Sequence, residues 1–471
     1  MQRRPDRLSG GPVATAGIGE EEQHAVLVWR GRRLVAGHVG WLSHRLTAWP
    51  LACPRPEVAL PVRKKSRCGL GTGARYTPFP CARKGTVVKN ASITVNPGLE
   101  GVVVGATGIS KVAGEEGRLT YRGYDIADLA AHATFEEVAF LLWHGRLPNR
   151  KELTELQREM AAHRALPQAV LDSMHAAPHG AWPMDVLRTA VSSLALFEPV
   201  QADGTHVSDV ATAIRLTAAT ATAVASWDRL RRGQVPIPPR ADLSHAANFL
   251  YMKNGEAPPE TAARALDVYF VLLADHGFNA STFAARVTTS TWADMYAATT
   301  TAIATLQGDL HGGAPGKVMK MILDIGDPDK AEAYVRAIVD KGGRVMGIGH
   351  REYKVRDPRA EPLERMARDL GQSSGKPQWY AVARRLEDVA VRVLDEKKPG
   401  RRLYANVEFY TAPTLYALGI PPDTFTCMFA CSRMAGWTAH VLEQMKDNRL
   451  IRPQVEYTGL VGLPWVSIEH R

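Results

Sequence analysis

Apolar residues recur at helical spacing over most of the chain beyond about residue 130. The segment TFEEVAFLLWHG is typical, because Thr134 can cap the helix, Glu137 completes a capping box and Gly145 can end it. The same spacing predicts further helices over residues 151–162, 184–197, 207–231, 260–276, 292–306, 328–341, 378–397 and 423–447. The pattern therefore predicts a mostly α fold.

Shorter elements and breaks lie between these helices. From about residue 91, the stretch LEGVVVGATGISKVAGEEGRLTYRGYDI alternates β-branched runs with glycine, which predicts short strands and turns. Linkers rich in Pro or Gly follow at 235–240, 308–317 and 419–423. The longest uncharged run compatible with a helix, residues 216–227, has 12 residues and is too short to span a bilayer. We therefore expect no membrane segment.

The first 90 residues differ in charge from the rest of the chain. They carry 16 Lys and Arg against 5 Asp and Glu, whereas the remaining residues carry 42 against 43. The body is thus close to neutral, and the net charge of +10 does not indicate nucleic-acid binding. Because they show no helical or strand period, we expect residues 1–90 to be disordered, or an over-extended reading frame whose natural start lies near Val87 or Val88.

Cysteine usage indicates a reducing compartment. Cys427 and Cys431 lie four residues apart on a predicted helix and are interpreted as small core residues. The chain has no Cys-x-x-Cys pair, so neither a zinc site nor a disulfide framework is predicted. We expect a cytoplasmic protein.

Several stretches of the chain hold polar residues that a plain helical fold does not need. His276 ends a predicted apolar helix in ADHGFNASTFAARV, His311 precedes two glycines in GDLHGGAPGK, and His350 stands in MGIGHREYKVRDPRA. Glu408 lies in the apolar, aromatic run YANVEFYTAP, a setting that raises the pKa of a carboxylate toward that of a general base. These residues are candidates for acid–base chemistry.

Two arginines near Gly and Pro complete the candidate set. Arg433 lies in CSRMAGWTAH and Arg452 in RLIRPQVEYTG, and guanidinium groups suit the bidentate binding of carboxylates. Three histidines, one carboxylate and several arginines could form a metal site, a phosphate site or a metal-free carboxylate site. The histidines lie 35 and 39 residues apart, without metal-ligand spacing, and neither a Walker loop nor a dinucleotide-binding glycine motif occurs. The residues favour an anionic polycarboxylate substrate.

Several motifs together resemble one family. LHGGAPGKV, MGIGHREYKVRDPRA and NVEFY, in this order, resemble the citrate synthase family, and ADHGFNASTFAARV, SRMAGWTAHVLEQ and RLIRPQVEYTG match it too. The similarity runs from about residue 98 to 462 and is greatest to the shorter bacterial- and archaeal-type enzymes, which include 2-methylcitrate synthases. The resemblance implies a homodimer with shared active sites and a two-domain helical fold. A large domain would comprise residues 91–311 and 416–471, and a smaller mobile domain residues 312–415.

The resemblance also implies a reaction of the tricarboxylic acid cycle and the residues that perform it. The family condenses acetyl-CoA with oxaloacetate, hydrolyses the citryl thioester and releases CoA, with no metal and no bound cofactor. Glu408 would remove the methyl proton, His311 would stabilise the enol, and His350 would donate to the ketone. Oxaloacetate would be bound by His276, Arg359, Arg433 and, from the other subunit, Arg452, and the coenzyme by Gly347, Ile348, Gly349 and Lys354.

One position departs from the family pattern, and two other functions stay open. The family usually has Asp where Glu408 stands, and a carboxylate misplaced by about 1 Å can cost on the order of a hundredfold in rate. The first alternative is 2-methylcitrate synthase, the same chemistry on propionyl-CoA. The second is a non-catalytic paralogue that binds CoA or oxaloacetate, which the intact pair His311 and His350 disfavours.

Overall fold

The computed structural model describes residues 95–397, 399–400 and 403–471. The expectation for residues 1–90 lies outside the described residues. The described part is mostly helical, as predicted, and none of its helices is long and apolar enough to cross a membrane. Its α-helices are α1 Ile126–His132, α2 Phe135–His144, α3 Arg150–Ala162, α4 Gln168–His175, α5 Pro183–Leu194, α6 Val210–Leu230, α7 His245–Asn254, α8 Glu260–Leu273, α9 Ala280–Ser290, α10 Met295–Leu306, α11 Ala314–Ile325, α12 Ala331–Asp340, α13 Ala360–Ser373, α14 Gln378–Lys397, α15 Val407–Ala417 and α16 Phe425–Lys446.

The predicted capping box at the start of α2 is present. The Thr134 hydroxyl accepts the Glu137 N–H at 3.3 Å, and the Glu137 carboxylate accepts the Thr134 N–H at 2.8 Å. Gly145 ends the helix with a φ of 79°. Local sequence chemistry therefore determines both ends of this helix.

The helix predicted over residues 260–276 ends three residues early. α8 stops at Leu273, and the Asp275 carboxylate accepts the Gly277 N–H at 3.0 Å. This side-chain bond competes with the helical pattern, and Gly277 adopts a φ of 59°, which favours glycine. His276 consequently lies in a turn, not on the helix.

Seven helices are not predicted by the sequence pattern. α11 begins inside the stretch interpreted as a linker, since Pro315 is tolerated in the first turn of a helix. α15 contains Pro413, which normally interrupts a helix. The helices without a prediction are α1, α4, α7, α9, α11, α13 and α15.

Helix α16 is the central element of the larger group of helices. Most of its residues are buried, including Cys427 and Cys431 as predicted, and it packs against α2, α6, α8, α9 and α10. Helices α11 to α15 pack mainly on one another, and α13 and α15 also contact α8. These five helices fall within or close to the range predicted for the small domain, whose boundaries and mobility stay a prediction.

A small antiparallel sheet precedes the helices and connects two loops. Its strands are β1 Ser110–Ala113, β2 Arg118–Tyr121 and β3 Tyr124–Asp125, with Ser110 opposite Tyr121. The Ser110 hydroxyl accepts the Gly277 N–H at 2.9 Å, and the Gly114 carbonyl accepts the Lys354 N–H at 3.0 Å. The hairpin thus joins the turn after α8 to the loop between α12 and α13.

Candidate active site

Two of the predicted histidines and a tyrosine form one cluster of rings. The ring centres of His276 and His350 are 5.6 Å apart, and those of His350 and Tyr353 are 4.7 Å apart. The Tyr353 hydroxyl lies 3.1 Å from His276 Nε2. Residues from the turn after α8 and from the loop between α12 and α13 therefore meet here.

Glycines shape the loop that carries His350. Gly347 and Gly349 have φ angles of 77° and 93°, which side-chain-bearing residues rarely adopt. Gly349 donates to the Tyr404 carbonyl at 2.7 Å, and the Gly347 carbonyl accepts the Asn406 N–H at 3.0 Å. A Cβ at Gly347 would lie 3.0 Å from the ring of Phe409. The loop is therefore held tightly against the residues that precede α15.

The hydrogen bonds of His350 determine its tautomer. Its Nδ1 faces the backbone N–H groups of Glu352, at 3.0 Å, and Tyr353, at 3.2 Å. Since an amide N–H only donates, Nδ1 is the acceptor and the proton of the neutral ring resides on Nε2. His350 can donate one hydrogen bond from Nε2.

His311 is held in the opposite tautomer. It lies in the turn between α10 and α11. The next residue, Gly312, has no room for a side chain, because a Cβ there would lie 2.5 Å from the Leu306 carbonyl oxygen. The Ser281 N–H, in the first turn of α9, donates to His311 Nε2 at 3.3 Å, and the Ser281 hydroxyl lies 2.8 Å away. Nε2 is thus the acceptor, and Nδ1 carries the proton.

The three histidines are neutral near pH 7. Burial, with the charge of Arg433, lowers the pKa of His311 to about 4, and burial with the charge of Arg359 lowers that of His350 to about 4. Burial and the same two arginines lower the pKa of His276 well below its usual value. His311 Nδ1–H and His350 Nε2–H are therefore hydrogen-bond donors on neutral rings.

Glu408 is placed as a base. It lies in the first turn of α15, and its Oε2 is buried with no hydrogen-bond partner among the described residues. Burial raises its pKa above the ordinary value of 4.5, and the charge of Arg359 opposes that rise without cancelling it. An unpaired, desolvated carboxylate oxygen accepts a proton more readily than a solvated one.

Arg359 is buried and paired with an acid. Its Nε and Nη2 donate to the two carboxylate oxygens of Asp357 at 3.0 and 2.8 Å. Asp357 also accepts the Val407 N–H at 3.2 Å, which connects this ion pair to the start of α15. Arg359 is thus fixed beside Glu408, and its Nη1 has no hydrogen bond within the described part of the chain.

Arg433, on α16, is buried, and no acid in the described part of the chain is bonded to it. Its Nε donates to the Leu273 carbonyl at 2.7 Å, and its guanidinium lies 4.7 Å from the ring centre of Phe429. Burial lowers its pKa, and the more distant charge of Asp275 only partly compensates. Its positive charge also lowers the pKa values of His311 and His276 and opposes the rise in that of Glu408.

Two predicted residues lie at the surface of this chain. The Lys354 side chain is exposed and donates to the Arg351 carbonyl at 3.2 Å. Arg452 is exposed in the extended segment after α16. The structure of a single chain does not bring these two side chains into the cluster.

Sequence reasoning missed the residues that position the predicted ones. Ser281 fixes His311, Tyr353 contacts two histidines, and Asp357 holds Arg359. A signal for Asp357 was available, since an acid two residues before an arginine at a helix start can form this local pair. Ser281 lies 30 residues from His311 along the chain, a contact that no local pattern indicates.

The described ranges contain no group of three or more His, Cys, Asp and Glu side chains that could hold a metal ion. Of the two acids in the site, Asp357 is paired with Arg359, and Glu408 Oε2 has no hydrogen-bond partner among the described residues. The arrangement supplies two neutral donors, one base and two buried cations.

Comparison with known proteins identifies the family. The family model described as citrate synthase, C-terminal domain, matches residues 98–454. A citrate synthase of Haloferax volcanii is 46% identical over 380 residues, covering 79% of this chain and 98% of that protein. A 2-methylcitrate synthase of Mycobacterium tuberculosis is 41% identical over 365 residues, covering 78% of this chain and 91% of that protein.

A solved structure agrees in fold. The citrate synthase of Thermoplasma acidophilum, solved as a ternary complex with carboxymethyl coenzyme A and oxaloacetate, superimposes with a TM-score of 0.74 at 30% identity. The match covers 81% of this chain and 100% of that one. The chain belongs to the citrate synthase family.

Proposed function

We propose that the protein is an acyltransferase that condenses acetyl-CoA with oxaloacetate and hydrolyses the citryl thioester to citrate and CoA. The observation that carries this proposal is the buried Oε2 of Glu408, which has no hydrogen-bond partner among the described residues and whose pKa is affected by the charges of the two buried arginines, Arg359 and Arg433. Removing a proton from a thioester methyl group requires a base and a donor that stabilises the resulting enolate oxygen.

Glu408 takes the methyl proton of acetyl-CoA. Burial raises its pKa, which strengthens it as a base, and the charge of Arg359 opposes that rise. The family usually has Asp at this position, so the longer side chain must reach the methyl carbon from a slightly different backbone position.

His311 stabilises the enolate that forms. The Ser281 N–H holds Nε2 as an acceptor, which leaves Nδ1–H to donate to the thioester oxygen. A neutral donor suits this step, because its proton is retained while negative charge develops on the oxygen. The low pKa of His311, about 4, keeps it neutral.

His350 polarises the ketone of oxaloacetate. Its Nε2–H donates to the ketone oxygen, which becomes the hydroxyl of the product, and two backbone amides fix the ring. Arg359, Arg433 and His276 bind the two carboxylates of oxaloacetate. Since burial lowers the pKa of Arg433, a bound carboxylate would provide the counter-charge that this residue lacks.

The coenzyme lies along the glycine loop and needs no metal. The backbone of Gly347, Ile348 and Gly349 contacts the coenzyme, and Lys354 binds its phosphates from the exposed side of the loop. Turnover should persist after dialysis against EDTA, because none of these roles requires a metal ion. The protein acts in the cytoplasm, in the tricarboxylic acid cycle.

Arg452 acts from the partner subunit of a homodimer. The segment after α16 is extended and exposes large apolar side chains, among them Val455 at 89% and Trp465 at 81% exposure. Such a surface is typical of a protein–protein interface. A mixed dimer of Arg452→Ala and His350→Ala subunits would regain part of the activity that each homodimer lacks, because one of its two sites is intact. If verified mixed dimers gain nothing, Arg452 does not act across the interface.

Thioester specificity can be measured directly. The test compares kcat/KM for CoA release with oxaloacetate and either acetyl-CoA or propionyl-CoA. The second candidate, 2-methylcitrate synthase, is favoured by the likeness to the Mycobacterium tuberculosis 2-methylcitrate synthase, and a higher kcat/KM with propionyl-CoA would establish it. One methylene separates the substrates, so discrimination of about 10- to 200-fold is expected. No CoA release with either thioester, from folded protein that binds oxaloacetate, would overturn both and indicate a non-catalytic paralogue.

A further inference from the structure

Tyr353 is a buried residue that none of the roles above uses. Only 4% of its surface is exposed, and its hydroxyl lies 3.1 Å from His276 Nε2. The two residues are 77 positions apart, one in the loop before α13 and the other in the turn after α8. A long-range bond between two otherwise separate loops orients the side chains at both ends.

Among the described residues, this is the only hydrogen bond that the His276 side chain makes to another residue. Without it, the imidazole could rotate about its χ2 angle, since ring contacts at 5.6 Å to His350 and Tyr353 are weakly directional. The hydroxyl therefore restricts which nitrogen of His276 faces the site.

The rest of Tyr353 is engaged by the same cluster. Its N–H donates to His350 Nδ1 at 3.2 Å, and its ring centre lies 5.9 Å from the guanidinium of Arg359. The backbone and ring of Tyr353 thus support His350 and Arg359, whereas its hydroxyl supports only His276. Removing the hydroxyl alone separates these contributions.

We propose that Tyr353 is a positioning residue for substrate binding, whose hydroxyl holds the imidazole of His276 in the orientation that binds a carboxylate of oxaloacetate. This inference rests on the proposed function. It predicts a specific kinetic signature, because oxaloacetate contacts His276 and the coenzyme does not.

The test is Tyr353→Phe, which keeps the ring and backbone and removes the hydroxyl. The Kd and KM for oxaloacetate should rise about 3- to 10-fold, the range expected for losing one neutral hydrogen bond. The KM for the acyl-CoA should change less than about twofold. Tyr380→Phe is the matched control, because the Tyr380 hydroxyl also bonds a side chain, Glu364 at 3.3 Å, but lies on α14 outside the site.

A double-mutant cycle distinguishes positioning from a general structural role. With His276→Ala as background, Tyr353→Phe should weaken oxaloacetate binding no further, since the hydroxyl acts only through His276. Unchanged oxaloacetate affinity in Tyr353→Phe would overturn the proposal, as would an equal loss in the His276→Ala background. Calorimetric binding of oxaloacetate needs no turnover, so the result is independent of whether the wild-type protein releases CoA.

Discussion

Two buried polar clusters near His276 use the same residue types differently. One, the Asp275 network, consists of Asp275, His440, Arg286 and Glu443. The other is the site around Arg433 and Glu408. In the Asp275 network, Arg286 donates to Gln444, to Glu443 at 2.7 Å and to His440 Nδ1 at 3.0 Å. In the site, Arg433 donates to one backbone carbonyl, and Glu408 Oε2 accepts no hydrogen bond from the described residues.

The pKa directions of the buried groups follow this difference in pairing. Burial would raise the pKa of Asp275, but His440 and neighbouring groups lower it below its usual value. Burial likewise raises the pKa of Glu408, and there the nearby charges do not reverse the shift. One oxygen of Asp275 also has no hydrogen-bond partner among the described residues, but it lies 3.3 Å from His440 Nε2, whereas Glu408 Oε2 has no ion-pair partner there either. The site thus keeps bonding capacity that a substrate can use.

The largest expected effect concerns the base. Glu408→Gln keeps the shape of the side chain but cannot accept the proton, so kcat should fall by about two to four orders of magnitude. Oxaloacetate affinity should stay within about threefold, because the arginines and His276 bind that substrate. Steady-state kinetics with acetyl-CoA and propionyl-CoA, together with calorimetric oxaloacetate binding, measure both quantities. A near wild-type kcat would contradict the role of Glu408.

The next effect separates binding from stability. Arg433→Gln should raise the oxaloacetate Kd at least about 30-fold, and the melting temperature without substrate should stay equal or rise, because a buried, poorly paired charge is removed. Arg286→Gln should do the reverse: it should lower the melting temperature and leave the Kd within about threefold. A comparison of the two variants by calorimetry and thermal melting tests the contrast. Destabilisation by both would show that Arg433 is also a structural residue.

The smallest effect is a shift along the pH axis. Burial holds the pKa of Glu408 above 4.5, whereas His311 and His350 have pKa values of about 4. As the pH falls, Glu408 is therefore protonated before the histidines, and kcat should decline through a single acid limb above pH 4.5. A pH profile of kcat at saturating substrates measures this limb. A profile that stays flat down to pH 4.5 would assign proton abstraction to another group.

The sequence predicts the residues of the site better than it predicts their geometry. His276 and His350 lie together, and the charges of Arg359 and Arg433 act on His276, while the roles of these residues stay a proposal. Each belongs to a motif in which the residue type itself is distinctive. The tautomers of His311 and His350 could not be predicted, since they depend on backbone N–H groups such as that of Ser281.

The fold was predictable where local chemistry decides and not where tertiary contacts decide. The capping box of α2 is a local signal, and its helix has the predicted bounds. α15, which carries Glu408, contains Pro413 and a strongly apolar sequence, so its helical state depends on packing against α11 and α13. The pattern of residues alone therefore indicates the base without indicating the helix that positions it.

The most direct test of the account isolates proton abstraction from condensation. Wild-type protein with acetyl-CoA, in D₂O and with a dicarboxylate that lacks the ketone of oxaloacetate, should exchange the methyl protons of acetyl-CoA for deuterium, which mass spectrometry detects. Glu408→Gln should lose this exchange by at least about a hundredfold while it still binds the dicarboxylate. Exchange by Glu408→Gln at the wild-type rate would contradict the central claim that the buried carboxylate of Glu408 is the base.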